Sequence, residues 1–213
     1  RKESSAASDV YKRQLINNPE SIIKVSIQSN RKDKRAIELV QILKRQNIQF
    51  IFADRNDLDR IAKGEVHQGV ISEVILPPLL NEESLIKSIS KNSSKLLLLV
   101  LDSIQDPRNL GACLRSANAA GVDYVVINKD GSAPINALVH KTSAGAINSL
   151  KIFHVTNLSR TIIEIQKRGI WVIGLDGSSK STIYDVNLTD ATAIVMGAEG
   201  KGIRRLIKEN CDQ

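Results

Sequence analysis

From Leu96 onward the chain alternates between short apolar runs and stretches with a helical period. LLLLVL (Leu96–Leu101), YVVI (Tyr124–Ile127), IWVIGL (Ile170–Leu175) and ATAIVM (Ala191–Met196) are near-continuous and predict buried strands. Between and after them, Leu110–Ala120, Asn136–Thr142, Leu158–Lys167 and Gly202–Lys208 predict helices. Apolar strands separated by helices belong to a parallel sheet covered on both faces. Ligands of such sheets sit beyond the carboxyl ends of the strands, which directs attention to the residues after Leu101, Leu175 and Met196.

The first part of the chain reads differently. IIKVSI (Ile22–Ile27) alternates like a half-buried strand, and Ile37, Val40 and Leu43 predict an amphipathic helix over 33–46. Gln49–Ala53 and Gly69–Leu76 predict further strands around a brief helix, capped by Asn56 or Asp57 and ending near Lys63. Pro77-Pro78 stops the last strand, because proline lacks the backbone donor. Residues 79–90 look helical and Lys91–Ser94 look like a solvated turn. The expected organisation is a polar tail over 1–14, a small α/β domain over 15–76, a linker over 77–95 and a parallel-sheet domain over 96–213.

Composition narrows the class. With 42% hydrophobic and 25% charged residues in 213, the chain can bury a core, which excludes wholesale disorder, collagen and coiled coil. Only 3% is aromatic, so aliphatic side chains must build that core. No apolar run approaches the roughly 20 residues of a membrane span, and the N-terminus shows no signal-peptide core. Cys113 and Cys211 form no disulfide or metal-ligand spacing, so a reducing, cytoplasmic setting is expected. The net charge of +7 favours polyanionic partners, RNA or DNA above all.

The strand ends carry the candidate chemistry. After the first come Pro107, Asn109, Gly111 and Arg115, with Asn109 placed to cap the helix. After the third comes Asp176-Gly177-Ser178-Ser179, a turn or a ligand-hugging backbone. After the last, Gly197, Gly200 and Gly202 surround Glu199, a costly use of glycine that suits a tight turn or close ligand approach. The spacing fails the Walker A pattern, where Val195 and Gly202 stand in the required places, and no glycine triad follows the first strand. His67, His140 and His154 are too scattered to hold a metal, and none is expected. Arg31, Lys32, Lys34, Arg35, Lys44 and Arg45 along the first helix, with His67 and Arg108, are the candidate RNA contacts.

DPRNLGACLRSANAAGV (106–122) followed by IVMGAEGKGIRRL (194–206) resembles the SpoU, or TrmH, class of RNA ribose 2′-O-methyltransferases in the SPOUT superfamily. KTSAGA (141–146) and VTNLSRTI (155–162) are similar to the branch that methylates a guanosine in large-subunit ribosomal RNA. EVHQGVISEV (65–74) resembles the end of that branch's ribosomal-protein-like RNA-binding domain. The resemblance implies a small α/β N-terminal domain, a parallel-sheet catalytic domain tied into an α/β knot, a homodimer, an RNA substrate and S-adenosylmethionine as methyl donor. It implies catalytic roles for Asn109, Arg115 and Glu199, and a cofactor pocket shaped by Leu175, Asp176, Gly177, Gly197, Ala198 and Gly200. Glu199 is then expected to orient Arg115 through a charge-assisted pair. The class has a third motif expected after Cys211-Asp212, and the chain ends at Gln213. On that ground the chain is expected to be a fragment, inactive alone, with an incomplete knot. A transfer-RNA target and a non-catalytic RNA-binding role are the alternatives.

Overall fold

The computed structural model describes residues 2–5, 19–31, 33–64, 66–75, 78–91 and 95–213, with 2–5 and 91 by backbone alone. The chain divides into two compact units, one of Arg1–Pro77 with Ile135–Asn148 and one of Pro78–Pro134 with Ser149–Gln213.

The first unit is built on strands β1 (Lys2–Ser5), β2 (Ile22–Gln28), β3 (Phe50–Ala53) and β4 (Val70–Ile75), in the order β1-β4-β2-β3. β2 and β3 run parallel, and β4 is antiparallel to both β2 and β1. Helix α1 (Lys34–Arg45) starts where the Asp33 carboxylate accepts from the Ala36 amide at 3.1 Å, and it buries Ala36, Leu39 and Leu43. These spacings of three and four place one stripe on the sheet, against Val25, Ile27, Val70 and Val74. Helix α2 (Arg55–Ala62) is capped by Asp54, ahead of the expected Asn56 or Asp57, and ends at Lys63 in a left-handed conformation.

Two expectations are corrected in this unit. Lys2–Ser5, expected within a tail, forms an edge strand on β4; backbone pairing along an open sheet edge needs no hydrophobic period. Residues 6–18, the rest of that tail included, lie outside the described residues, as do Leu76 and Pro77. The 135–148 segment, expected in the 96–213 domain, groups instead with this unit, where its helix lies against β1. That helix follows Asn136, whose side chain accepts from the amides of Leu138 and Val139 at 3.1 Å.

The second unit holds a six-stranded sheet of β5 (Leu80–Asn81), β6 (Leu97–Asp102), β7 (Tyr124–Asn128), β8 (Lys151–Val155), β9 (Trp171–Gly174) and β10 (Thr192–Gly197). Its order is β5-β8-β7-β6-β10-β9 and every pairing is parallel. Helix α3 (Glu82–Lys91) sends the fully buried Leu85 and Ile89 into the core. The helix expected over 79–90 is thus present, but as part of this unit's core rather than of a linker, with its buried apolar positions four apart. The apolar pattern does not predict β8, because Lys151 and His154 interrupt its run. The Lys151 ammonium lies 5.6 Å from the Tyr124 ring centroid, so it is accommodated rather than buried.

Helix α4 (Pro107–Ala119) begins earlier than expected, since Asp106 rather than Asn109 is the cap and accepts from the Arg108 amide at 2.7 Å. Proline at the first helical position costs nothing there. In chain order, α5 (Ala137–Thr142) belongs to the first unit, while α6 (Leu158–Gln166), capped by Asn157, and the short α7 (Arg205–Glu209) complete the second. The expected start of α7 at Gly202 gives way because residues 198–202 close a turn of their own.

Candidate active site at the carboxyl ends of three strands

β6, β10 and β9 are adjacent, so the segments leaving them emerge side by side. Asn109 sits in the first turn of α4 and its Nδ2 donates to Glu199 Oε2 at 2.8 Å, joining positions 90 residues apart. Glu199 is carried by a tight turn in which Ala198 and Gly202 exchange backbone hydrogen bonds of 3.1 and 2.8 Å. A Cβ at Gly197 would lie 2.0 Å from the Gly202 carbonyl carbon, so this backbone approach requires glycine. Gly197, Ala198 and Gly200, expected around a cofactor, thus build the turn that presents Glu199.

Arg115 does not meet Glu199, which corrects the expected pair. Six positions along a helix place it about 9 Å further on and about 120° round from Asn109, whereas Asn109 is at the mouth of the loop. The Arg115 side chain is exposed and makes no hydrogen bond or ion pair among the described residues. The same holds for the guanidinium of Arg108. Arg108, beside Asn109, and Arg115, further along, are thus two guanidinium groups on α4 without a partner among the described residues.

Sequence reasoning missed the partner residues beneath this contact. Asp102 ends β6, is fully buried and lies opposite Gly197 in the parallel register. Its carboxylate accepts from the Arg204 amide at 2.8 Å and from the Arg204 guanidinium at 2.7 Å, with the Ser103 hydroxyl at 3.1 Å. A carboxylate closing an otherwise apolar buried run was the available signal, since a buried charge demands partners.

Leu175, Asp176 and Gly177 line a cleft of about 280 Å³ at the end of β9, together with Ile183, Thr182 and Gln213. Its wall mixes aliphatic carbons with hydroxyls and backbone, and a Cβ at Gly177 would meet nothing within 4 Å. Asp176 accepts from the Ser178 hydroxyl and amide and from Lys208 Nζ at 2.9 Å. These donors, the Ser178 hydroxyl foremost and Lys208 next, hold its carboxyl far below the ordinary 3.8. Burial pushes the Cys211 thiol up to about 11 and the Cys113 thiol upward as well, so neither is an activated nucleophile. Burial also lowers His140 and His154, keeping both imidazoles neutral.

The candidate RNA contacts of the first unit divide. Lys34, Arg35, Lys44 and Arg45 are exposed along α1, on the side away from its buried stripe. Lys32 lies outside the described residues. Arg31 is removed from the set: it precedes the helix, and its guanidinium joins the Asp33 carboxylate to the Gln68 carbonyl. His67 is removed too. It is buried, accepts from the Gly69 amide at 3.0 Å through Nδ1 and faces Asp59 at 2.8 Å through Nε2, so both ring nitrogens are taken.

Two family models match the chain. Residues 96–213 match the model of the SpoU rRNA Methylase family, and residues 13–78 match that of the RNA 2′-O ribose methyltransferase substrate-binding domain. The chain belongs to the SpoU rRNA methylase family. It is 46% identical over 200 residues to the 23S rRNA (guanosine-2′-O-)-methyltransferase RlmB of Haemophilus ducreyi, covering 93% of this chain and 81% of that protein. The RlmB of Escherichia coli is 42% identical over 195 residues, covering 92% and 80%. Among solved structures of the family, the SpoU methyltransferase AviRb from Streptomyces viridochromogenes, in complex with AdoMet, superposes with a TM-score of 0.75 at 20% identity. It covers 99% of this chain and 78% of AviRb, and shows that the two share a fold.

Proposed function

We propose that this enzyme transfers a methyl group from S-adenosylmethionine to the ribose 2′-hydroxyl of a guanosine in 23S ribosomal RNA. The reading is supported by relatives of that activity matching along 93% of the chain. The structural observation that carries it is the contact of Asn109 with Glu199 at the strand ends, on the helix that also bears the exposed guanidinium of Arg115.

The cleft at the end of β9 fits a nucleoside-bearing donor: aliphatic walls suit an adenine, and the hydroxyls and backbone suit a ribose. Leu175, Asp176 and Gly177 would hold it there, beside the turn formed by Gly197, Ala198 and Gly200. Bound S-adenosylmethionine supplies a methyl group on a positively charged sulfur, so the donor is already activated and the acceptor hydroxyl is the difficulty. The planar fork of Arg115 suits an anion better than it suits proton abstraction. Its role is to grip an RNA phosphate and polarise the hydroxyl, whose proton leaves to that phosphate or to water. Asn109, with its amide N–H committed to Glu199, presents Oδ1 to accept from the ribose. Alignment of this kind is worth about 7–11 kcal/mol in favourable cases. Arg108 and the exposed cations of α1 would steer the RNA backbone, and the enzyme would act as a homodimer, as the family resemblance implies, in the reducing cytoplasm that its two unpaired cysteines suggest.

The test is methylation by the purified enzyme, with S-adenosylmethionine and unmodified 23S RNA. Mapping of ribose methyls should reveal one new modified guanosine. A methyl found only on transfer RNA, or RNA binding without transfer, would overturn the assignment.

A further inference from the structure

Glu199 stands at the tip of a turn closed by the Ala198–Gly202 hydrogen bonds, and where that tip points depends on how the turn as a whole is anchored. Its two ends are fixed elsewhere. At the start, Gly197 lies in register opposite Asp102, within the β6–β10 ladder. At the finish, Arg204 delivers its backbone amide and its guanidinium to the same Asp102 carboxylate, at 2.8 and 2.7 Å. The strand ladder therefore holds the start of the loop and the Asp102 carboxylate holds its finish, and the loop holds Glu199 against Asn109 at 2.8 Å.

We infer that Asp102 and Arg204 are a positioning pair for the reaction: they set Glu199, and through Glu199 they set the amide of Asn109. The inference rests on the methyl-transfer reading only for its kinetic consequence; the geometry stands without it. Asp102 is fully buried and cannot touch substrate, so its effect must run through the loop. Arg204 keeps half its side chain exposed, yet its Nε and Nη2 both face Asp102. A charged hydrogen-bonded pair in this place resists displacement more firmly than neutral groups, because each partner alone would be a buried or half-buried uncompensated charge.

Replacing Asp102 alone strands Arg204 and risks unfolding, so the informative variant neutralises both ends, Asp102→Asn with Arg204→Gln. It should fold with little change in melting temperature, since removing both charges leaves none unpaired. Its kcat should fall about a hundredfold, the scale of a misplacement of about 1 Å, while KM for RNA stays unchanged. In a Glu199→Gln background the same double replacement should add almost nothing, because residues acting through one another are non-additive. A second reading needs no turnover: the side-chain amide resonances of Asn109 should move toward their position in Glu199→Gln. Near-normal kcat, losses that multiply with Glu199→Gln, or unmoved Asn109 resonances would each overturn the pair. Moved resonances in an enzyme that transfers no methyl group would support the pair and strike the functional reading instead.

Discussion

Asn109 and Arg115 share one helix, and the phase between them divides their work. Asn109 faces the turn bearing Glu199, whereas Arg115 is turned aside with its guanidinium unengaged. An arginine without an internal partner is kept for something external, and a planar fork suits a phosphate. Arg115→Lys keeps the charge but loses the fork; it should remove most methylation while leaving stability within about 0.5 kcal/mol of the parent, as exposed substitutions do. Near-normal turnover would take Arg115 out of the mechanism. Gly197→Ala is the opposite case, a steric fault with a functional result. The added carbon meets the Gly202 backbone at 2.0 Å, so the turn must open, which costs about 1–3 kcal/mol and pulls Glu199 away from Asn109. Thermal melts together with methyl-transfer rates would show both effects or refute the close approach. The convergence of two distant loops was legible from the strand ends; the partner of Glu199 was not, because helix phase depends on where the cap falls, and the cap is Asp106 rather than Asn109.

At the scale of elements, α1 and the β9 loop behave differently toward charge. The four exposed cations Lys34, Arg35, Lys44 and Arg45 are free to meet a polyanion, while Arg31 is committed to Asp33 and Gln68. Neutralising the four should flatten the salt dependence of RNA binding by about one unit of logarithmic slope for each phosphate no longer gripped. Arg31→Ala should instead lower stability and leave that slope alone. In the β9 loop, the depressed carboxyl of Asp176 sets a pH window. A carboxylate whose pKa is lower folded than unfolded stabilises above its unfolded value and loses that contribution as pH falls through the folded one. That contribution should therefore fade below about pH 4, and Asp176→Asn should flatten that part of the acid limb; an unchanged acid profile would remove the Lys208 and Ser178 contacts from the account. Strands of unbroken apolar residues were readable at this scale, such as β6 and β7, and so was a helix over 79–90, though not its place in the core. β8 was not, since Lys151 and His154 interrupt a run whose burial only neighbours reveal.

Across the whole molecule, each unit has its own buried cluster, one around Leu39, Leu43 and Val70, the other around Leu98, Val126 and Phe153. The basic surplus is uneven as well, with 17 basic against 12 acidic residues up to position 95 and 13 against 11 after it. Long-range attraction for RNA is thus weighted toward the region that carries α1, while the chemistry resides in the parallel sheet. The strand order β5-β8-β7-β6-β10-β9 has a bearing on biogenesis. β10 is the last of the six to leave the ribosome, yet it is inserted between β6 and β9. Until Thr192–Gly197 emerges, those two strands present bare edges to solvent, an invitation to pair with the wrong chain. A nascent chain stalled before that point should therefore depend on chaperones far more than one released after it.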